Sequence, residues 1–598
     1  MAAKPAFNKG LPWLGPIARF ARKPYAFMQS AHDACGEVAS FTLLGQRVHL
    51  LTGAEASAVF FKSPDEVLDQ SAAYQLMTPI FGPGLVFDAP IAKKNEQLKM
   101  LMPVLRVEAM HTHAAKIVRE VESLTQSWQQ QAAGAEIELV AFMKQLTINT
   151  ASHCLLGREF RYELTDEFAQ IYHDLEKGIH PLAYHFPNLP LPAFKKRDKA
   201  RVRLQNLVGQ IVAKRLAQGC SHNDMLQSLM ETHYANGQKL DANEITGLLI
   251  AAIFAGHHTS SGTAAWVLIE LLRHPHLLAQ AKKEIDDLLG ADGEVTFDNL
   301  REMPTLENVL KEVLRLHPPL ILLMRKVLVD MPFKDHVLKA GDMVWAAPPV
   351  TQRMGSLFKN PLVFDPDRYA PGREEDRNLM AYQPFGGGKH KCSGNSFAIF
   401  QIKAIFAVLL RRFEFELVDA PEHYHDDYTQ MIVQPAAPCR VRYRPRHDCP
   451  PGKGKSASAA AAVCPVHHAA APAAVAPLAA PLAAPSPAAA SCPVSTTKTE
   501  ATQAGFTAKN AENTIKNTPK ALHIVHDAQL CQGHAVCQGE APDYFAVDAH
   551  SVLHIKQHVV AADDEEKVRR AVRYCPNGAL SLEERGLENR GSEERAAP

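Results

Sequence analysis

Cys392 lies in the run Pro384-Phe385-Gly386-Gly387-Gly388-Lys389-His390-Lys391-Cys392-Ser393-Gly394. Glycines let a backbone fold tightly beneath a flat macrocycle. A cysteine on such a loop can present a thiolate to iron, with backbone N–H groups tempering its charge. Thiolate ligation pushes electron density onto iron and favours O–O cleavage. A second reactive grouping is Ile253-Phe254-Ala255-Gly256-His257-His258-Thr259-Ser260-Ser261-Gly262-Thr263, set in a long apolar stretch. Small residues at 255 and 256 leave room for O2. The Thr259 hydroxyl can pass a proton to oxygen as it is reduced, and His258 can shuttle protons near neutral pH. The third is Cys531-Gln532-Gly533-His534-Ala535-Val536-Cys537, followed after 37 intervening residues by Cys575-Pro576. Thiolates at this spacing, from one loop and one distant segment, can wrap an iron–sulfur cluster.

The Cys392 loop resembles the haem-binding signature of the cytochrome P-450 superfamily, Phe-x-x-Gly-x-(Arg or His)-x-Cys-x-Gly. Two further segments match in order. Glu312-Val313-Leu314-Arg315 places Glu and Arg three apart on one helical face, like the superfamily's Glu-x-x-Arg core pair. Phe364-Asp365-Pro366-Asp367-Arg368-Tyr369 resembles the later loop that locks to it, making Arg368 the third member. The resemblance implies haem b held by Cys392, and Thr259 on the helix above it. His258 stands where the superfamily pattern has an acid.

Within that superfamily, Tyr74-Gln75-Leu76-Met77-Thr78-Pro79-Ile80-Phe81-Gly82-Pro83-Gly84-Leu85-Val86-Phe87-Asp88 is similar to a substrate-recognition segment of sterol 14α-demethylases. Its aromatic and aliphatic side chains suit the wall of a flat apolar substrate. Leu175-Glu176-Lys177-Gly178-Ile179-His180-Pro181 resembles the family's second recognition segment and pairs Glu176 with His258 as a proton relay. The resemblance implies catalytic roles for Thr259, His258 and Glu176. It implies haem propionate contacts from Tyr74, Lys99, Arg325 and His390, and a substrate wall of Tyr74, Leu76, Phe81, Val86, Phe87, Ala255 and His257. Leu76 occupies a position that is Leu in members handling 4,4-dimethyl sterols and Phe in those handling 4-monomethyl sterols. The implied reaction is oxidative removal of the 14α-methyl group of a lanosterol-like sterol, with release of formate. The rivals are a haem-thiolate hydroxylase of another flat lipid, such as a hopanoid, and a non-enzymatic redox or gas sensor. A sensor needs neither Thr259 nor a relay.

The C-terminal cysteines resemble those of bacterial ferredoxins of the Cys-x-x-Cys-x-x-Cys…Cys-Pro type, with His534 at the middle position. Three thiolates from Cys531, Cys537 and Cys575 suit a 3Fe–4S cluster. A 4Fe–4S cluster with His534 as fourth ligand, and a zinc site, are the alternatives. No Rossmann or flavin signature accompanies them, so an external NAD(P)H-dependent ferredoxin reductase is expected to supply electrons.

The elements that must position these groups are legible in outline. Amphipathic stretches such as LENVLKEVLRLH dominate residues 1–448, with strand-like runs such as EVASFTLLGQRVHLLTG near the N-terminus. The expected fold is mainly α with minor β, the cytochrome P-450 fold, joined to a small α+β ferredoxin-like domain. Residues 456–491 are mostly Ala and Pro, too poor in large apolar side chains to offset ordering entropy. Residues 449–519 therefore read as a flexible linker, with incidental thiols at Cys464 and Cys492 and histidines at His467 and His468, and 520–598 as the iron–sulfur domain. That last domain holds 13 acidic and 9 basic residues, net −4. Lys+Arg and Asp+Glu are both 64 over the whole chain, so residues 1–519 carry +4. The two parts can attract weakly. The neutral total gives no pointer to nucleic acid. The 11 cysteines form no secreted disulfide pattern, and no apolar run has the length of a membrane anchor, so a cytoplasmic location is expected.

Overall fold

The computed structural model describes residues 14–447 and 520–586, with Phe7 and Gly10, apart from positions 131–133, 164, 179–182, 184–185, 220–221, 291–292, 529 and 549. The expected linker at 449–519, with Cys464, His467, His468 and Cys492, lies outside the described residues. So do Ile179, His180 and Pro181 of the second recognition segment.

The described parts of Met1–Gly454 and Ala521–Arg585 pack as one compact unit. Its axis is the 32-residue helix Ala242–Arg273. Asp241 starts that helix with a capping box: its carboxylate accepts from the Glu244 amide at 2.7 Å, and Glu244 accepts from the Asp241 amide at 3.0 Å. Most of the helix is buried all round, as its continuous apolar sequence requires. Helices Leu139–Ala151, Pro192–Gln218, Pro304–Leu316 and Asn395–Arg412 pack around it. Helix Thr78–Phe81 approaches so closely that a Cβ on Gly247 would lie 2.2 Å from the Phe81 carbonyl. Only glycine fits there.

The β-structure is minor and peripheral. One five-stranded sheet runs in the order Val38–Leu43, Gln46–Leu51, Met343–Ala346, Leu323–Val327, Leu68–Asp69. A three-stranded antiparallel sheet places Arg440–Pro445 between Ala135–Glu138 and Phe413–Leu417. The C-terminal part pairs Lys520–His526 with Leu580–Gly586 and Phe545–Val547 with Leu553–Ile555. Helices Val536–Glu540 and Glu565–Arg573 pack together over its small core of Ile524, Tyr544, Phe545 and Val568. This is the mainly helical architecture and small α+β addition that the sequence implies.

Glu312, Arg315 and Arg368, from helix Pro304–Leu316 and the turn Pro366–Tyr369, meet with no solvent exposure. Arg315 donates Nε and Nη2 to the two Glu312 oxygens, both at 2.8 Å. Arg368 Nε donates to Oε1 at 3.1 Å, the Tyr369 hydroxyl to Oε2 at 2.8 Å and the Asp365 amide to Oε1 at 2.9 Å. Every lone pair of this buried anion is used, the condition under which a dry ion pair persists. Removing the carboxylate leaves two guanidinium groups buried without their anion. Glu312→Ala is expected to cost about 3–5 kcal/mol, measured by urea unfolding followed through helical circular dichroism. A loss below about 1 kcal/mol would show that the cluster is not a structural lock.

Candidate functional site

The cysteine loop is tied to that lock. Gln352 accepts from Arg315 through its carbonyl and donates Nε2 to the Arg315 carbonyl at 3.0 Å. Its Oε1 accepts from the Gln383 amide at 2.9 Å, immediately before Pro384. The loop then turns through Gly386 and Gly388 at φ 71° and 63°. A Cβ on Gly388 would lie 2.0 Å from the Phe61 carbonyl. The Cys392 amide donates back to the Phe385 carbonyl at 2.9 Å. Surrounding protein pushes the Cys392 thiol upward, while a hydrogen bond from Gly394 and the Lys391 charge pull it down. Cys392 as a residue is nonetheless exposed. Helix Asn395–Arg412 begins three residues on, and its N-terminal dipole favours the thiolate.

A cationic cluster lies beside the loop. His390 Nε2 meets Asp65 Oδ1 at 2.5 Å, and Lys389 and Lys94 approach Asp65 Oδ2 at 3.0 and 3.5 Å. Burial would raise the Asp65 carboxyl, but His390, Lys389 and Lys94 override it and hold it far below the carboxylate range. Arg325, 2% exposed, is pushed down to about 10 by burial. Among the described residues its one hydrogen bond goes to the Ser63 carbonyl, at 3.2 Å. The buried Lys94 Nζ has no hydrogen bond. A buried guanidinium and ammonium short of acceptors, near the Cys392 loop, fit a group bearing carboxylates. The Tyr74 hydroxyl accepts from the Met324 amide at 3.3 Å on the strand that carries Arg325.

Lys99 corrects the sequence reading. It is exposed on helix Ile91–Met100, and its charge acts on Cys531 instead. Lys94 takes the inward place. Five residues separate the two, so they sit about 140° apart around the helix.

Aromatic rings line the approach to the long helix. Tyr74 stacks on Phe87 at 5.1 Å, Phe87 on Phe81 at 6.0 Å, and Phe81 meets Phe254 edge-on at 6.4 Å. Tyr172 continues the row, 4.7 Å from Phe254 and 6.3 Å from His258. Beyond it lies a narrow apolar hollow walled by Phe160, Phe168, Tyr172, Leu249 and Ile253. Val86 is held at φ 44°, a strained conformation for a β-branched residue. Its amide donates to Gln97 Oε1 at 2.9 Å. Leu76 is fully buried in the core, unlike the half-buried Tyr74 and Phe87.

On the long helix, Ala255 is accessible and a Cβ on Gly256 would meet nothing within 4 Å. Thr259 Oγ1 donates to the Ala255 carbonyl at 2.8 Å. His258 Nε2 contacts Glu176 Oε1, the last residue of helix Thr165–Glu176. Burial alone would raise the Glu176 carboxyl, but His258, with Lys144 and His173 beyond, leaves it below its ordinary value. His257 points elsewhere, about 100° round the helix. It is buried against Tyr172, and its Nδ1 lies 3.2 Å from Thr147 Oγ1. Burial pushes it well below the usual histidine range, so it packs there as a neutral ring. Tyr172, missed in the sequence, sits four residues before Glu176 and so on the same helical face.

In the C-terminal part, Cys531, Cys537 and Cys575 line one hollow with His534 and Gly533. Burial and the other two sulfurs push Cys537 up to about 12. Three thiols gathered around one hollow fit a positively charged iron group. Among the described residues no three His, Cys, Asp or Glu side chains converge closely enough for one ion. His534 Nε2 lies 3.0 Å from the Ser393 carbonyl, and burial holds the ring neutral, down to about 4.

Residues 5–442 match the Cytochrome P450 family, and residues 524–582 match the 4Fe-4S single cluster domain family. The chain is 45% identical to the sterol 14alpha-demethylase of Mycobacterium tuberculosis, over 74% of this chain and 98% of that protein. It is 39% identical to the obtusifoliol 14-alpha demethylase of Sorghum bicolor, over 73% and 89%. It is 36% identical to the lanosterol 14-alpha demethylase of Bos taurus, over 73% and 86%. The solved structure of retinoic acid-bound cyanobacterial CYP120A1 superposes with TM-score 0.66 at 24% identity, covering 74% of this chain and 99% of that one, a likeness of fold alone.

The lowered Glu176 carboxyl carries a pH signature. Its tie to His258 stabilises the folded chain above the ordinary glutamate value of 4.5 and fades as pH falls below it. With Glu176 about a third exposed, the coupling is expected to be about 0.5–1 kcal/mol. A double-mutant thermal-unfolding cycle of His258→Gln and Glu176→Gln should show that coupling near pH 6 and a smaller one near pH 3.5. Equal coupling at both values would mean the pair is not ionic.

Proposed function

This chain belongs to the cytochrome P450 family, and from that premise we propose that it is a sterol 14α-demethylase carrying its own electron donor. The observation that carries the reading is the Glu176–His258 contact beside Thr259. It stands at the end of an aromatic row long enough for a flat, rigid hydrocarbon. The relatives named for sterol, obtusifoliol and lanosterol demethylation share most of this part of the chain.

Cys392 would hold haem b through its thiolate, with Arg325, Lys94, His390 and Tyr74 available to the carboxylates, and the group so bound would supply O2 reduction and oxygen insertion. Everything else falls to side chains. Tyr74, Phe81, Phe87 and Phe254 bury the sterol faces and exclude water. Val86, fixed by Gln97, shapes the wall beside them. Ala255 and Gly256 leave space for O2 at the helix surface. Thr259 Oγ1 can turn from the Ala255 carbonyl to hand over a proton. His258 refills it, and Glu176, partly exposed, connects the pair to solvent. Successive oxygenations convert the methyl to an alcohol and an aldehyde, and then break the C–C bond to release formate. Each consumes O2 and two electrons.

Those electrons come from the iron–sulfur domain, residues 520–598, joined to the haem domain, 1–448, through 449–519. We infer a 3Fe–4S cluster on Cys531, Cys537 and Cys575. This reading is supported by the three sulfurs around one hollow and by the engagement of His534 with Ser393. An external NAD(P)H-dependent reductase reloads it. No helix among the described residues is long and apolar enough to cross a membrane.

Incubating the full chain with lanosterol, O2, NADPH and a ferredoxin reductase should yield formate and 14-demethylated sterol in equal amounts. Hydroxylation without formate, or turnover only of a hopanoid, would sink the sterol assignment. His258→Ala and Glu176→Ala should each lower kcat by about 10²-fold or more while sterol affinity changes little. Wild-type turnover in both variants would remove the relay.

A further inference from the structure

The iron–sulfur part rests against the cysteine loop through a built surface. Gln532 Nε2 donates to the carbonyls of Lys389 and Lys391 at 3.1 and 2.9 Å. Lys391 Nζ donates to the Pro576 carbonyl, next to Cys575. Farther out, Arg106 Nη2 donates to the Asp548 carbonyl at 3.0 Å and Ser551 Oγ at 2.9 Å. Arg301 pairs with Glu540 and lies 4.6 Å over the Tyr574 ring. The charged donors come from the large part and the acceptors mostly from the small one, matching the +4 and −4 of the sequence.

One contact in this surface is set apart by its position. His534 is 5% exposed, and its Nε2 faces the Ser393 carbonyl at 3.0 Å. A carbonyl only accepts, so Nε2 carries the proton. The residue after Cys392 is therefore bonded to the residue midway between Cys531 and Cys537. We propose that His534, standing where a four-cysteine loop would place a thiolate, is an outward latch that holds the cluster loop against the haem-thiolate loop through Ser393. The substitution thus does two things: it leaves the cluster three thiolates, and it converts the vacated corner into a docking contact. The backbone of Cys392–Ser393, the imidazole and the 531–537 loop then form one bonded path between the two thiolate groups. An electron moving along it leaves the reduced cluster and arrives at ferric haem. NAD(P)H, through the external reductase, is the source. No bond is made or broken, and no proton need move. His534 acts here as a positioning residue.

This inference rests on the iron–sulfur domain being the electron donor, and it is tested without turnover. The readout is amine acetylation of the resting, oxidised, full-length holoprotein, followed by mass spectrometry. Lys391 is held by Pro576 and should be protected, whereas Lys389, paired with Asp65 within the large part, serves as internal reference. His534→Ala should raise Lys391 labelling relative to Lys389 by up to about tenfold, the equilibrium equivalent of one net hydrogen bond. His534→Gln, whose Nε2 can reach the same carbonyl, should restore protection. Iron content should be the same in all three. Unchanged Lys391 labelling in His534→Ala overturns the latch, as does iron loss in that variant, which would make His534 a ligand. Should His534→Ala fail to fold, pulsed EPR of the wild-type cluster decides. A nitrogen coupling of the size of a direct iron–nitrogen bond overturns the proposal, and its absence supports the outward orientation. Formate yield with a separately added donor tests the demethylase reading on its own, so the two can fail independently.

Discussion

The carboxylate of Glu312 is the interaction on which the haem-thiolate loop depends. An ion this deeply buried is tolerable only when every acceptor site is filled, and here two guanidiniums, a phenol and an amide fill them. That requirement draws the Pro366–Tyr369 turn onto helix Pro304–Leu316. It also fixes Arg315, which fixes Gln352, which receives the amide that opens the cysteine loop. The loop could in principle be positioned by apolar packing alone. Polar satisfaction is more exacting, because a shift that leaves one lone pair unfilled costs about 1–3 kcal/mol in a dry environment. The thiolate thus inherits its position from a network some distance away that never touches the reacting atoms.

The long helix solves a different problem. It must be apolar enough to be the core and yet carry two adjacent histidines. Adjacent histidines divide the work by angle. His258 faces the Glu176 carboxylate and the partly wet end of its helix, whereas His257 is packed under Leu139–Ala151 and stripped of charge by burial. The same residue type one position apart meets different partners because the helix turns about 100° per residue.

This division explains what was legible in the sequence. The cysteine loop, the Glu312–Arg315–Arg368 set and the Glu176–His258 pair all involve residue types whose chemistry is rare enough to identify them, or spacings that a helix converts directly into proximity. The aromatic wall was legible at Tyr74, Phe81 and Phe87 for the same reason. What escaped was angular. Lys99 and Lys94 belong to one polar helix, Lys93-Lys94 alongside Lys99, and nothing in composition says which faces inward. Only the packing of that helix beside Asp65 does. Asp65 itself follows Ser63-Pro64 in a loop, where no periodicity exists to place it. For His257, type alone does not separate a packed imidazole from a lining one.

The iron–sulfur domain shows why its surface could not be read at all from one chain position. Its contacts with the haem domain run largely to carbonyl oxygens: Lys389, Lys391 and Ser393 on one side, Pro576 and Asp548 on the other. Backbone acceptors leave no imprint on residue identity, so the docking surface is nearly silent in sequence apart from its charge balance. Such contacts suit two domains that share one chain. Covalent connection keeps the effective concentration of the donor high without any contact, on the order of a millimolar for a connector whose length matches the span. A surface of a few hydrogen bonds and one partly covered ion pair is then strong enough to be occupied. An extensive apolar interface would add affinity that covalent connection makes unnecessary. The polar character of this surface suits a contact between domains that a shared chain already keeps close.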